Sequence, residues 1–381
     1  MQTKIIHRIL PIEKIIKRKG VLLLGPRRTG KSFYINHQIK PHKVINLLES
    51  ETFRKMSARP ELLREMVNKE DKIVAIDEIQ KLPALMDEIH NLIETTDIKF
   101  ILTGSSARKL SKSYTSLMAG RVKKLLIHPF VFPEIKNFHL DKVLQFGTLP
   151  PVYNSEDPWD ELRDYTGLYL REEIQNEALV RRIDNFSRFI DFAAMTNGEV
   201  LNYEAIGRDA QVPARTIREY YSLLEDTLMG TILQPIKASK KRRCISTGKF
   251  YFFDLGVLNS ILGRKSISSK TKEYGELFES FIYLELKAFV DYFSQDSHLN
   301  FWRIDSEYEV DFIINEEIAI EVKSTEFVQD KHLKGLNKFA ELGPVKRMIL
   351  VSRDLVKRKI GDIEVIPYTI FLEELWDGKI F

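Results

Sequence analysis

Residues 21–32 read VLLLGPRRTGKS, and the residues that follow, FYINHQIK, have the spacing of an amphipathic helix reaching about Lys40. A short apolar strand, a G-x-x-x-x-G-K-S loop and a helix are the parts of a phosphate-binding turn. Gly25 and Gly30 let the backbone curl so that its N–H groups surround phosphate oxygens, and Pro26, Arg27, Arg28 and Thr29 complete the loop. In that setting Lys31 reaches the β and γ phosphates of a nucleotide, and the Ser32 hydroxyl ligates Mg²⁺. The fold this predicts is α/β, built on a parallel sheet.

Such a site needs a carboxylate at the end of a neighbouring strand, and KIVAIDEIQKLP, residues 72–83, supplies one. Ile73–Ile76 read as a buried parallel strand ending in Asp77 and Glu78. Asp77 then holds Mg²⁺ through its shell, and Glu78 is the natural base for the attacking water. A further strand, IKFILTGSS at 98–106, ends in Thr103 and Ser105. Either could approach the γ-phosphate, or the segment is a glycine turn with a serine helix cap; both readings stay open. In SLMAGRVKKLL, Arg121 follows a glycine, and an arginine here either neutralises transition-state charge, in its own site or in a neighbouring copy's, or is an ordinary surface residue. Residues 68–71 spell NKED, a guanine-reading pattern, but they precede the Asp77 strand, so ATP is favoured over GTP.

Composition sets the frame. The chain has 381 residues, 44% hydrophobic and 29% charged, which fits an ordinary globular protein of two or three domains. No apolar run approaches the ~18 residues a spanning helix needs, so no membrane association and a cytoplasmic location are expected. The single cysteine, Cys244, excludes an internal disulfide. The net charge is +4, and much of the excess sits in IKASKKRRCISTGK, residues 236–249, which contains no acid.

From FGTLPPVYNSEDPWD onward, prolines mark a boundary and helical periodicity then resumes. NYEAIGRDAQVPARTIREYYSLLEDT, residues 202–227, gives two helices broken at Val212 and Pro213. Ile217, Tyr220, Tyr221 and Leu224 share one side of the second helix, leaving Arg215, Arg218 and Ser222 to face outward as a recognition helix would place them. TILQPI and KFYFF form a hairpin, a wing, with Lys240, Lys241, Arg242 and Arg243 near its tip. Phosphate contacts with nucleic acid, DNA rather than RNA, are one reading; a structural brace with a solvated loop is the other.

EVDFIINEEIAIEVK, residues 309–323, places acids and a lysine in an apolar strand pair. With Asn315, Glu316 and Glu317 as the turn, Ile314 faces Ile318, Phe312 faces Ile320 and Val310 faces Val322 on one apolar face. The same register sets Asp311 against Glu321 on the other face, with Lys323 beside them. Opposed carboxylates repel unless a cation lies between them, so they are candidate ligands for Mg²⁺ or Mn²⁺, joined by Glu279 from the helix YGELFESFIYLELKAF; Lys323 could then orient the attacking water. A solvated polar face is the alternative.

An acid on a helix, an Asp on one strand and E-x-K on the next resemble the PD-(D/E)xK restriction-endonuclease-like superfamily. Through GPRRTGKS, IDEIQ, LTGSS, AGR, LPPVY, the winged helix and GELFE…EVDF…EVK, the chain from about residue 5 to 370 is similar to a group of prokaryotic AAA-type ATPases carrying that C-terminal domain. The resemblance implies an AAA-type domain over 1–145, a helical winged-helix segment over 146–260 and a nuclease-like domain over 261–381. It also implies ATPase roles for Lys31, Ser32, Asp77 and Glu78, and nuclease-like roles for Glu279, Asp311, Glu321 and Lys323. Val310 stands where such nucleases often carry proline, which puts cleavage in question. A nucleotide-switched regulator that binds DNA or protein without cleaving is the rival expectation, and a protein partner and assembly with further copies of the chain stay open.

Overall fold

The computed structural model describes residues 5–68, 70–106, 120–169, 183–236, 247–304 and 307–381. The contacts expected of Lys240, Lys241, Arg242 and Arg243 lie outside the described residues. The chain divides into two compact units: the residues up to Phe130 together with Asp226–Met229, and Val131–Glu225 together with Gly230–Phe381. Among the described residues no helix is long and apolar enough to cross a membrane.

The first unit is built on five parallel strands, β1 (Gly20–Leu24), β2 (Lys43–Asn46), β3 (Ile73–Asp77), β4 (Lys99–Gly104) and β5 (Val122–Leu126), in the order β2-β3-β4-β1-β5. Each of β1, β3 and β4 is a nearly unbroken apolar run because both faces of a parallel sheet are covered. On one face Leu22, Leu24, Val74, Ile76, Phe100 and Leu102 pack with Leu85, Met86, Ile89 and Leu92 of the helix Leu85–Thr95. Burying each such side chain contributes ~1.5–3 kcal/mol, so the strands hold their loops from beneath. After β1 the chain turns through the phosphate loop into the helix Lys31–Tyr34, which widens into a π-type turn over Ile35–Ile39 and stops at Lys40, whose φ is 52°. Asn68 and Asp71 bond to each other's backbone ahead of β3, a turn leading into the strand.

In the second unit, the helices Tyr203–Ala210 and Ala214–Asp226 are joined through Gln211, which takes the left-handed conformation that ends the first of them. Strands β6 (Gly230–Leu233) and β7 (Lys249–Phe252) follow as an antiparallel pair, with Lys249 also bridging to Val200. A six-stranded mixed sheet completes the unit, from β8 (Leu299–Ile304), β9 (Tyr308–Ile314), β10 (Ile318–Lys323), β11 (Arg347–Ser352), β12 (Arg358–Ile360) and β13 (Ile363–Pro367), in the order β12-β13-β11-β10-β9-β8. The long helix Lys272–Phe293 packs on it, and Leu336 and Phe339 of the helix Lys334–Ala340 cover Trp302, Ile313, Ala319 and Leu350.

The β9–β10 register pairs Ile314 with Ile318, Ile313 with Ala319 and Phe312 with Ile320, as the alternation predicts. Asn315 and Glu316 both have positive φ, and Glu317 N–H returns to Ile314 C=O at 2.9 Å, which makes a type I′ turn suited to the strand twist. The face carrying the acids is not a solvated one. Ile313 and Ala319 are buried beside them, so the sheet is covered on both sides.

The helical middle and the last sheet, separate parts in the sequence reading, share this second unit. The Tyr251 ring stacks on Tyr283 of the long helix at 4.1 Å, and the Thr231 and Tyr283 hydroxyls bond at 2.6 Å.

Candidate functional sites

The phosphate loop joins the end of β1 to its helix with Arg28 (φ 62°) and Gly30 (φ 89°) in the left-handed region. Gly25 is required by contact: a Cβ there would lie 2.6 Å from the Ile127 carbonyl oxygen. The Thr29 hydroxyl closes the loop by donating to Pro26 C=O at 2.8 Å. Lys31 curls back over it, its Nζ 2.8 Å from Gly25 C=O and 3.0 Å from Pro26 C=O.

At the ends of β3 and β4 the acids and hydroxyls form one chain of bonds. The Ser32 hydroxyl donates to Asp77 Oδ2 at 2.6 Å, the Thr103 hydroxyl donates to Asp77 Oδ1, and Glu78 N–H donates to Thr103 Oγ1 at 3.0 Å. Glu78 itself has φ 61°, a conformation uncommon outside glycine that turns its side chain out of the strand direction. Its Oε2 accepts from the Gln80 amide, and Ser105 Oγ lies 3.4 Å from the same oxygen. Lys31, Ser32, Asp77, Glu78, Thr103 and Ser105 are therefore brought together. Ser32 Oγ beside the Asp77 carboxylate is a hard-oxygen donor set that fits Mg²⁺.

Arg121 is not in that group. It immediately precedes β5, its carbonyl accepts from Gly20 N–H at 2.9 Å, and its guanidinium pairs with Glu94, holding that carboxyl below its ordinary range. Gly20 begins β1 and Gly25 follows its end, so Arg121 lies roughly 15 Å from the phosphate loop at ~3.3 Å per residue, beyond reach of its own chain's site. A residue the sequence did not single out does reach the loop. Arg8, nearly buried, donates to Thr29 C=O at 3.1 Å and to the His128 and Pro129 carbonyls, clasping the loop to the segment after β5.

In the second unit Asp311 and Glu321 are 4% and 5% exposed. The backbone ladder of β9 and β10 ends one step before them, and Asp311 Oδ2 instead takes the Val322 N–H at 2.8 Å. Lys323 Nζ lies 2.5 Å from Glu321 Oε1 and 3.6 Å from Asp311 Oδ2. Burial, with the Asp311 charge adding to it, pushes the Glu321 carboxyl up to about 8 despite Lys323. Burial also works against the Lys323 charge, but the two acids outweigh it and raise its pKa. Glu321 Oε2 is buried and finds no hydrogen-bond partner among the described residues.

Glu279 does not complete that pair. Burial and then the Asp311 charge raise its carboxyl, with Lys249 opposing, yet its Oε1 is held by the Tyr251 hydroxyl at 2.7 Å and by Lys249 Nζ at 3.3 Å. Among the described residues no group of three or more His, Cys, Asp or Glu is arranged to hold a metal, so the expected three-acid set is not assembled. Glu279 is paired with Lys249 instead. Read in the sequence as part of a basic loop, that lysine is 2% exposed, and its ammonium pairs with both Glu279 and Glu309 and lies 5.3 Å from the centre of the Phe301 ring. A cleft of about 650 Å³ lies alongside, lined by Lys249, Lys272, Glu276, Glu279, Arg303 and Glu309 among others.

Arg215 and Arg218 are exposed on the helix Ala214–Asp226, whose other face buries Ile217, Tyr220, Tyr221 and Leu224. Both have acidic neighbours: Arg215 pairs with Glu219 at 3.3 Å, and Arg218 pairs with Glu204 at 3.0 Å while lying over the Tyr203 ring. Their face is thus of mixed charge.

Comparison with known proteins agrees with the first unit and leaves the second open. Residues 17–136 match the model of an AAA domain, residues 137–268 a domain of unknown function (DUF8612), and residues 274–371 another domain of unknown function (DUF4143). Two relatives come from Methanocaldococcus jannaschii. Uncharacterized protein MJ1544 is 24% identical over 96% of this chain and 91% of its own length, and uncharacterized protein MJ1637 is 24% identical over 72% of this chain and 68% of its own. The AAA-domain match coincides with the five-stranded parallel sheet and its phosphate loop, which fit a P-loop NTPase-like α/β domain.

Proposed function

We propose that this chain is an ATP-hydrolysing enzyme of AAA type whose second unit, a winged helix joined to a PD-(D/E)xK-like sheet, engages nucleic acid. The observation that carries the ATPase reading is the bonded chain Ser32–Asp77–Thr103–Glu78 beside Lys31 and the phosphate loop. Lys31 leaves the Gly25 and Pro26 carbonyls to bind the β and γ phosphates. Ser32 and Asp77 hold Mg²⁺, which when bound offsets phosphate charge. Glu78 accepts the proton of the attacking water, and Thr103 and Ser105 place hydroxyls at the γ-phosphate end of the site. An arginine acting on the transition state comes from another copy of the chain if Arg121 supplies it.

Replacing Lys31 with Ala should weaken ATP binding by at least about 10²-fold in a fluorescent-nucleotide titration. Glu78→Gln should keep binding and lower turnover by ~10²–10⁴-fold. Unchanged turnover in both variants would overturn the assignment.

A second reading concerns the nuclease-like sheet. Lys323 stands between Asp311 and Glu321, and Lys249 engages Glu279, which favours a nucleotide-switched protein that binds without cutting. Plasmid nicking with Mn²⁺ that disappears in Asp311→Ala, ATPase being intact, would instead establish cleavage.

A further inference from the structure

Gln80 lies in the short 3₁₀ turn Ile79–Lys81 directly after Glu78 and is 8% exposed. Its Nε2 donates to Glu78 Oε2 and, at 3.1 Å, to the Ser105 hydroxyl. The orientation of the amide is dictated by chemistry, since an ionised carboxylate only accepts and a flipped amide would aim its oxygen at Glu78. That leaves Gln80 Oε1 buried without a partner among the described residues. A buried unsatisfied acceptor costs ~1–3 kcal/mol, so the amide is poorly explained as a contribution to folding. It is well explained as a group that touches both the base and a hydroxyl near the terminal phosphate.

We infer that Gln80 is a positioning residue for ATP hydrolysis: its amide holds the Glu78 carboxylate against Ser105 and fixes where that carboxylate stands when the nucleotide arrives. This rests on the assignment of Glu78 as the base. The backbone of Glu78 is left-handed, so its side chain is aimed by contacts rather than by the strand, and the Gln80 amide is the closest of them. Gly104 is part of the same device. A Cβ at Gly104 would lie 2.9 Å from Gln80 Oε1 and 3.1 Å from Leu24 Cδ2. The nearest atom is the far end of a flexible side chain, so Gly104→Ala displaces the amide without removing a polar group.

The test measures steady-state ATP hydrolysis and thermal unfolding of the full chain for Gln80→Ala, Gln80→Met and Gly104→Ala, each alone and combined with Glu78→Gln. Gln80→Met keeps the volume and loses the donor, so it separates positioning from packing. Each single variant should lower kcat by on the order of 10²-fold, leave the KM for ATP within about twofold, and add no further loss to Glu78→Gln. Wild-type kcat in Gln80→Met, or a loss that multiplies with that of Glu78→Gln, overturns the inference while leaving the ATPase assignment standing. Full turnover in Glu78→Gln and Lys31→Ala would instead remove the assignment itself, and the inference with it.

Discussion

Asp77 and Asp311 are both buried acids on strands, one in each unit, and the groups that hold them differ in kind. Asp77 takes its bonds from the hydroxyls of Ser32 and Thr103. Hydroxyls stabilise a carboxylate as dipoles and leave its charge in place for a cation. Around Asp311, Glu321, Glu279 and Glu309 the partners include cations: the ammonium groups of Lys323 and Lys249, and Arg303 on Glu309. Here the protein supplies its own counter-charge. On the proposed function the first arrangement receives magnesium with a nucleotide; the second already carries the ammonium groups that a divalent ion would have to displace or join.

This contrast can be broken at Lys249. Lys249→Met takes the buried ammonium from Glu279, which keeps only the Tyr251 hydroxyl, and from Glu309, which keeps Arg303, and should cost ~3–5 kcal/mol in a denaturant titration. Ser32→Ala removes one hydroxyl from an acid that keeps another, and should cost only ~1–3 kcal/mol. Equal losses would mean that the two sets of acids are held alike. The contrast is sharpened at Lys323. Lys323→Gln takes the ammonium from Asp311 and Glu321, so Mn²⁺ binding measured by calorimetry should tighten by on the order of 10-fold. Weaker binding would show that Lys323 assists the cation rather than replacing it.

A further test concerns a buried acid held by N–H donors. Glu285 accepts from Phe132 N–H at 3.0 Å and from Trp376 Nε1–H at 2.7 Å, yet burial raises its carboxyl to about 8. Below about 4.5 both the folded and the unfolded chain keep this proton. Between about 4.5 and 8 only the folded chain keeps it, so stability falls as pH rises, by up to ~1.4 kcal/mol per pH unit, and levels off above 8. Glu285→Gln should flatten that portion of a stability profile; an unaltered slope would assign it to other groups.

What the sequence reveals follows the range of the interactions. The phosphate loop and the Asp77 strand are legible because strand, turn and helix are specified within a dozen residues. The β9–β10 register is legible because a one-residue slip would bury acids with Phe312 and Ile320. Lys249 was hidden because its partners, Glu279 and Glu309, come from a helix and a strand far along the chain. For Arg121 the sequence leaves a catalytic and an ordinary surface role open, and only the parallel pairing of β5 with β1 places it just ahead of β5, at the far end of the sheet from the phosphate loop. Gln80 is not legible in the sequence, because nothing local marks a glutamine whose oxygen lacks a partner among the described residues.

Arg8 has a practical consequence. Its guanidinium ties the stretch ahead of the first strand to the Thr29 carbonyl, so the phosphate loop inherits the condition of that stretch. A substitution at Arg8, or strain in the residues around it, would loosen the loop from outside without altering any residue of the loop itself.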